Sequence, residues 1–365
     1  HKKPSGVWIM AYTDIDDPSA YFQTTLYTGD GSTDLAITNS GNSDLQPDMV
    51  WIKNRDQADW HHITDVARGV NKVVYPNDTY VEQTTNYVKA FNSDGFTIGA
   101  SGHDVNANAE KYVAWQWKAG TSFTNDASST GIGTIDSTGS VNNDSGFSIV
   151  SYTGNATDNA SVKHGLNTAP KMVIIKDLSD TSTWGVWHQS LTNGGYKLTL
   201  NTTAAQADDS AFIGGGDRAI PTSSVFFLGS GGGGNGANAN IAYCFAEKQG
   251  YSKFGSYTGN GNADGTFVYT GFKPAFVMVK RTDATNYWFM FDNKRSTSGS
   301  NLTDKELYAN DNAAEDTSAR FDFLSNGFKN RISSAGSNAS GGTYIYMAFA
   351  ESPFISSSSV PTTAR

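Results

Sequence analysis

Three aspartates, Asp14, Asp16 and Asp17, stand close together in TDIDD (13–17), and Asp30 and Asp34 follow in GDGSTD. Clustered carboxylates can bind Ca²⁺ through hard oxygen ligands, which makes Asp14, Asp16 and Asp17 the candidate metal ligands. No glutamate follows at EF-hand spacing, and a solvated turn is the plainer reading. Histidine offers little to start from. His61 and His62 follow Trp60, His188 follows Trp187, and His103 and His164 fall in loop-like sequence. A Ser/His/Asp triad can be drawn on paper from almost any of them, so residue types alone carry no signal. There is no G-x-S-x-G elbow ahead of a helix, no P-loop, no H-E-x-x-H and no paired-cysteine metal site. Glycosidase chemistry needs two positioned carboxylates, and 35 Asp and Glu residues leave that open. The Gly-rich segment GSGGGGNGANAN (229–240) does not join a strand to a helix, so it is no dinucleotide fingerprint. It reads as a flexible loop, or as an exposed tip whose amides and Asn side chains, Asn235 and Asn238 among them, meet a ligand.

The elements that would position such groups are strands. Gly (38), Phe (20), Tyr (17) and Trp (8) are abundant, and long amphipathic Leu/Ala/Glu/Lys runs are missing. Aromatic and β-branched residues suit a pleated surface, while Gly, Asn and Asp supply turns.

An internal repeat organises them. Tyr-Thr-Gly occurs at 27–29, 152–154 and 257–259, and each copy is followed by a run from Pro to Lys: PDMVWIK (47–53), PKMVIIK (170–176) and PAFVMVK (274–280). Pro to Lys is six positions every time, whereas Tyr to Pro is 20, 18 and 17. The loop varies and the strand does not. Seven or eight residues past each Lys stands a Trp, giving Trp60, Trp184 and Trp288. YPND (75–78), TLNT (199–202) and YAND (308–311) follow, and each copy closes on an aromatic strand: YVAWQWK (112–118), IAYCFAE (241–247) and IYMAFAE (345–351). The expected fold is all-β: three tandem antiparallel β-sandwich or jelly-roll-like repeats of about 100 residues. Runs such as MVIIK and FVMVK are apolar on both faces and belong inside a sheet. The chain divides into an N-terminal arm (1–20), repeat 1 (21–119), a Gly/Ser/Asn-rich linker with room for an edge strand (120–146), repeat 2 (147–249), repeat 3 (250–352) and a polar tail (353–365). Separate beads and one closed three-bladed body both satisfy this pattern.

Shared features most simply maintain the common fold, and differences at matching positions are where function would be added. Four residues past the shared Trp the copies read Thr64, His188 and Asp292, and the Gly-rich segment belongs to the second copy. The candidate ligand-binding residues are therefore His188, Asp292, Trp187, Asn235 and Asn238. A constant scaffold with variable loops fits a recognition protein better than an enzyme, and no catalytic residue is assigned.

The net charge of −9 with no run of Lys or Arg argues against nucleic acid as the main partner. No apolar stretch is long enough to cross a bilayer as a helix, and the opening HKKPSGVWIMAYTDIDD lacks the apolar core of a signal peptide. The single cysteine, Cys244, rules out an intrachain disulfide; in IAYCFAE it reads as a small core residue of a protein made in a reducing cytosol.

The phrases GFSIVSYTGN, HGLNTAPKMVIIKD, IAYCFAE, GYSKFGSYTGNGNADGTFVYTGFKPAFVMVKRTD, LSNGFK and NASGGTYIYMAFAESPF resemble a family of repeat-containing structural proteins of marine, cyanophage-like tailed bacteriophages. The similarity covers roughly residues 20–355 and is strongest from 147 onward. It implies a virion component, a tail fibre, tip or capsid decoration exposed to the host, and supplies no catalytic or binding residues. A helical or collagen-like shaft, common in long fibres, is not visible, which favours a compact piece. The expectations are a non-enzymatic virion protein that adheres to a host-surface glycan or protein, with an architectural role as the alternative and a polysaccharide depolymerase as the third. Expected partners are other virion proteins and the host surface, in a homo-oligomer that would be a trimer if the protein is a fibre. No cofactor is expected beyond the weak Ca²⁺ signal.

Overall fold

The computed structural model describes residues 11–99 and 102–362, so the first half of the N-terminal arm and the last three residues of the tail lie outside the described residues. The protein is all-β. Antiparallel strands dominate, and among the described residues the helical segments are short turns at Pro18–Ala20, Gly102–Val105 and Ala127–Thr130.

One strand order occurs three times. In the first sheet Phe22–Thr28 lies beside Lys111–Trp117, then Met49–Asn54, then His62–Asp65. The second runs Phe147–Thr153, Ala239–Phe245, Met172–Asp177 and Gly185–His188, and the third Ser252–Thr258, Thr343–Pro353, Phe272–Arg281 and Trp288–Asp292. Each sheet with its loops is called a blade below. In every blade the Pro-to-Lys strand pairs with the closing aromatic strand, so the two most apolar segments share the centre of the sheet.

Side-chain alternation explains why the centres of the Pro-to-Lys runs are apolar on both faces. Successive residues of a strand point to opposite faces. Met49 and Trp51, Met172 and Ile174, and Phe276 and Met278 enter one central core shared by all three blades. Their neighbours Val50 and Ile52, Val173 and Ile175, and Val277 and Val279 enter three separate cores, one between each sheet and its own outer layer. Each blade is thus a small sandwich, and the three sandwiches close around a common centre. Phe349 is a hub of that centre: its ring lies 5.0 Å from Phe22 of blade 1, 6.1 Å from Phe245 of blade 2 and 6.4 Å from Phe276 of its own blade. Cys244 is buried in the core of blade 2, where loss of water pushes its thiol well above the ordinary range.

Backbone contacts between blades recur with the same geometry. Glu82 N–H donates to Leu178 O of blade 2, Gln206 N–H to Thr282 O of blade 3, and Glu315 N–H to Arg55 O of blade 1. The donors stand seven residues past Tyr75, Thr199 and Tyr308, and the acceptors two past Lys53, Lys176 and Lys280. The third bond returns to the first blade, so the chain closes as a ring rather than a string of beads.

The three lysines are buried. Lys176 Nζ donates to Asp177 O (2.6 Å) and reaches Thr79 O of blade 1 (3.3 Å); Lys280 Nζ donates to Asn286 O (2.9 Å) and to Thr203 O of blade 2 (3.1 Å). Lys53 Nζ donates to Asn54 and Gln57 carbonyls. Burial lowers each ammonium to about 8, and the ring of carbonyl acceptors favours its charged form.

Tyr-Thr-Gly is a clasp. The hydroxyls of Tyr27, Tyr152 and Tyr257 donate to the carbonyls of Val105, Gly234 and Ser337. Each carbonyl precedes a buried asparagine, Asn106, Asn235 or Asn338, whose Oδ1 accepts the N–H of Asp30, Asn155 or Asn260. The glycine lets two backbones touch: a Cβ on Gly29, Gly154 or Gly259 would sit 2.2, 2.0 or 2.3 Å from the carbonyl oxygen of Ala107, Gly236 or Ala339. Gly154→Ala is therefore expected to cost about 1–3 kcal/mol, as overpacking does in a fitted interior. Chemical denaturation measures it, and a cost near zero would mean the loop shifts freely.

The stretch 120–146, expected as a linker with room for an edge strand, carries two strands. Thr121–Asn125 and Ser137–Asn142 add to the outer edge of the blade 2 sheet. The described part of the polar tail folds back: Ser357 N–H and hydroxyl both bond the Asp16 carboxylate, and Thr362 N–H donates to Phe354 O.

Candidate functional site

Strand register corrects one alignment made from sequence. Lys280 pairs across from Trp288, and the blade 2 pairing of Ile175 with Gly185 puts Trp184 opposite Lys176. In blade 1 Ile52 pairs with His62, which puts His61, not Trp60, opposite Lys53. Trp184 and Trp288 turn inward, where Trp184 Nε1 donates to Tyr75 O (2.9 Å) and Trp288 Nε1 to Thr199 O (3.0 Å), each in the preceding blade. His61 takes the same inward position. Its Nδ1 accepts from Trp51 Nε1 at 2.9 Å within blade 1, while its Nε2 is buried without a hydrogen-bond partner. The residue matching His188 and Asp292 is consequently Asp65 and not Thr64.

None of the five sequence-chosen ligand residues forms an exposed site. His188 is fully buried, takes the Ser190 N–H on Nδ1, and faces Tyr346 O of blade 3 at 3.3 Å. Burial holds its pKa near 3, so it is a neutral packing group. Asp292 is buried against Arg295 (2.6 Å) and accepts Trp115 Nε1 from blade 1 (3.1 Å). Trp187 belongs to the blade 2 core. Asn235 is the clasp asparagine, its amide on Thr157 O and Gly229 O. Asn238, half-buried, holds the Asp177 carboxylate. Variation at these positions serves the ring seams and loops. The Gly-rich segment is also not peculiar to blade 2 in structural terms, since Asn106 and Asn338 do the work of Asn235 in the other blades.

Two of the acidic trio likewise have separate structural partners. Asp17 caps the turn Pro18–Ala20 by accepting Ser19 N–H and also takes the Ser43 hydroxyl, Asp16 holds Ser357, and Asp14 is exposed. Among the described residues no cluster of three His, Cys, Asp or Glu side chains has the arrangement of a metal site.

What the structure does bring together on the outside is aromatic. The one-residue offset in blade 1 leaves Trp60 outside the core, partly exposed, with its ring 4.9 Å from Tyr75 and 5.2 Å from Tyr80. Tyr80 is 48% exposed. Beneath them His62 lies 5.4 Å from Tyr75 and 4.8 Å from Tyr87. Blade 3 repeats the group: Tyr287, 39% exposed, lies 4.7 Å from Tyr308, which lies 5.4 Å from Phe289. Blade 2 has Thr183, Gly185 and Thr199 at the matching places, and Phe212 packs over Gly185 so closely that a Cβ there would be 2.1 Å away. Two blades present an aromatic surface and one is capped.

A domain of unknown function (DUF7483) matches residues 17–353. The chain belongs to the DUF7483 family. No curated protein and no solved structure matches it. The DUF7483 span opens at the N-cap Asp17 and ends at Pro353, the last residue of the final closing strand, so it takes in all three blades.

The two aromatic groups of this DUF7483 chain differ in their polar surroundings. In blade 1, Tyr87 donates its hydroxyl to Asp104 Oδ2 at 2.5 Å, and Asp104 Oδ1 lies 3.9 Å from His62 Nε2. Burial holds Asp59 above the usual carboxylate range, and the charges of Asp104 and Glu110 add to the effect against the opposing Asn54 hydrogen bond and Lys53 charge. In blade 3, Tyr308 donates to Glu306 (2.8 Å), and Arg320 pairs with Glu306 (2.7 Å) while lying 4.3 Å over the Phe289 ring. Sequence reading missed both groups. The signal was present in the spacing: seven residues from Lys53 to Trp60, against eight to Trp184 and to Trp288.

Proposed function

We propose that this protein is a non-enzymatic component of a phage particle surface that adheres to host glycan through the aromatic groups of blades 1 and 3. The observation that carries this reading is their matched placement: Trp60 with Tyr75 and Tyr287 with Tyr308 occupy the same positions in two blades, and in each an outer ring, Trp60 or Tyr287, lies on an inner one, the buried Tyr75 or Tyr308 packed on the blade 3 core. The face of an aromatic ring is electronegative and apolar, which suits the C–H face of a sugar, while carboxylates at the rim accept hydroxyls. Two such groups on one rigid ring allow a polymeric glycan to be held at more than one point. The virion setting follows from the family resemblance of the sequence.

Trp60→Ala and Tyr287→Ala are each expected to weaken binding of host surface polysaccharide by about tenfold, close to 1.4 kcal/mol, as loss of an anchoring aromatic does. Light scattering after size-exclusion chromatography of the mixture reads both co-elution and glycan length. Co-elution lost in the double variant supports adhesion; shortened glycan means that the protein cuts it; binding indifferent to both substitutions rejects these surfaces. An architectural role is the second reading, favoured by Phe267 and Tyr269. They are 44% and 51% exposed on one face of the strand Phe267–Tyr269, an apolar surface suited to another virion protein.

A further inference from the structure

We infer that the aromatic group of blade 1 takes a hydroxyl-rich sugar that is uncharged or carries an amine, and excludes acidic glycans. This inference rests on the adhesion reading above and names its ligand class. His62 is the decisive residue. Its ring is 2% exposed and lies between Tyr75 and Tyr87, yet neither Nδ1 nor Nε2 has a hydrogen-bond partner. A buried polar group without a partner is costly and uncommon, so its place under an aromatic surface calls for an explanation. Burial keeps the ring neutral, its pKa near 3. A neutral imidazole offers one donor and one acceptor, the complement of a hydroxyl, whereas a carboxylate or sulfate offers acceptors only.

The rim has the same preference. Nε2 lies 3.9 Å from Asp104 Oδ1, whose side chain is 41% exposed, so the buried ring nitrogen sits just inside an accessible carboxylate. Asp56 and Asp59 add negative charge at this end of the blade. Lys53, whose charge reaches His62 and Asp59, keeps its ammonium on backbone carbonyls. Lys72 and Lys89 are paired with Glu82 and Asp34. Lys111 is exposed, but these acids outnumber it. A uronate or sulfated chain would meet uncompensated like charge, and an amino sugar would meet attraction. Blade 3 carries Phe289 where blade 1 carries His62, so it stacks a ring without this hydroxyl partner.

The test is titration calorimetry of the full chain at about 0.15 M salt against neutral glucan, mannan and galactan, a chitosan oligosaccharide, and alginate. The expected result is binding of a neutral or amino probe, with alginate at least about tenfold weaker. His62→Phe installs the blade 3 residue and keeps a ring in place, so it is expected to fold and to lose about tenfold affinity for the bound probe. Alginate bound as tightly as the neutral probes, with binding lost in Trp60→Ala, would overturn the charge preference and leave adhesion standing. Unchanged affinity in His62→Phe would overturn the hydroxyl contact. Binding of none of the probes would remove the adhesion reading and this inference together.

Discussion

Lowering the pH from 7 to 5 is expected to remove most of the folding stability of this protein. Four histidines are buried and neutral: burial takes His62 and His188 to about 3, His164 to about 4, and His61 well below its ordinary value. Their native pKa values lie below that of an unfolded histidine, near 6.5, so the unfolded chain binds more protons as the pH falls. The stability they allow is complete above about pH 7 and is lost progressively as the pH drops through 6.5 toward 3–4. At pH 5 His62, His164 and His188 each cost about 2 kcal/mol, about 6 kcal/mol together, and His61 adds in the same direction, against a typical total of about 5–15 kcal/mol. Asp48 opposes this. Burial raises it to about 6, so the native state gains a proton there and recovers about 1 kcal/mol. Urea denaturation at half-unit steps from pH 7.5 to 4.5 should show the midpoint falling steeply below pH 6.5. A flat profile to pH 5 would mean that the histidines protonate in place, and His62→Phe should make the decline shallower by about 2 kcal/mol.

Arg295→Ala is expected to cost about 3–5 kcal/mol, the range for removing one partner of a buried charge pair. Arg295 is 1% exposed and stands where blade 3 meets blade 1. Its Nε donates to Asp292 (2.6 Å), its Nη1 to Glu315 (3.1 Å) and its Nη2 to Met290 O (2.9 Å), and its guanidinium lies 5.6 Å over the Trp115 ring of blade 1. Glu315 also grips Arg55 of blade 1 through two bonds of 2.9 and 2.7 Å. Alanine would leave Asp292 buried without its countercharge, with Trp115 Nε1 as a remaining donor. Removing both charges together, as Arg295→Met with Asp292→Leu, should cost less than the single change, because no unpaired charge remains. A single-variant loss below about 1 kcal/mol would show that apolar packing alone closes the ring.

Much of this architecture was legible in the residues. The Pro-to-Lys runs, constant in length and apolar on both faces between Pro and Lys, belong between two cores, and that is where Met49–Asn54, Met172–Asp177 and Phe272–Arg281 lie. The variable distance from Tyr-Thr-Gly to Pro marked a loop. The clasp itself was harder to see, because Asn106, Asn235 and Asn338 sit in dissimilar sequence and share only the backbone groups they hold. The residues chosen for ligand binding proved structural for a related reason. Difference between blades suggests contact with a ligand, but Asp65, His188 and Asp292 differ because each meets a different neighbour across a seam: Tyr243, the Tyr346 carbonyl and Trp115.

By itself, then, the order of residues determined strand identity, the three copies and the all-β class, since these follow from local apolar alternation and turn chemistry. Closure into one ring was decided only in the tertiary structure, because its contacts join residues as distant as Trp115 and Asp292, 177 positions apart. The surface of blade 1 was decided there too. Strand side chains alternate with a period of two, so the shift of one residue between Trp60 and His61 exchanges inside for outside. Composition cannot register that exchange; pairing across Met49–Asn54 can, and it sends His61 to the seam and Trp60 to solvent.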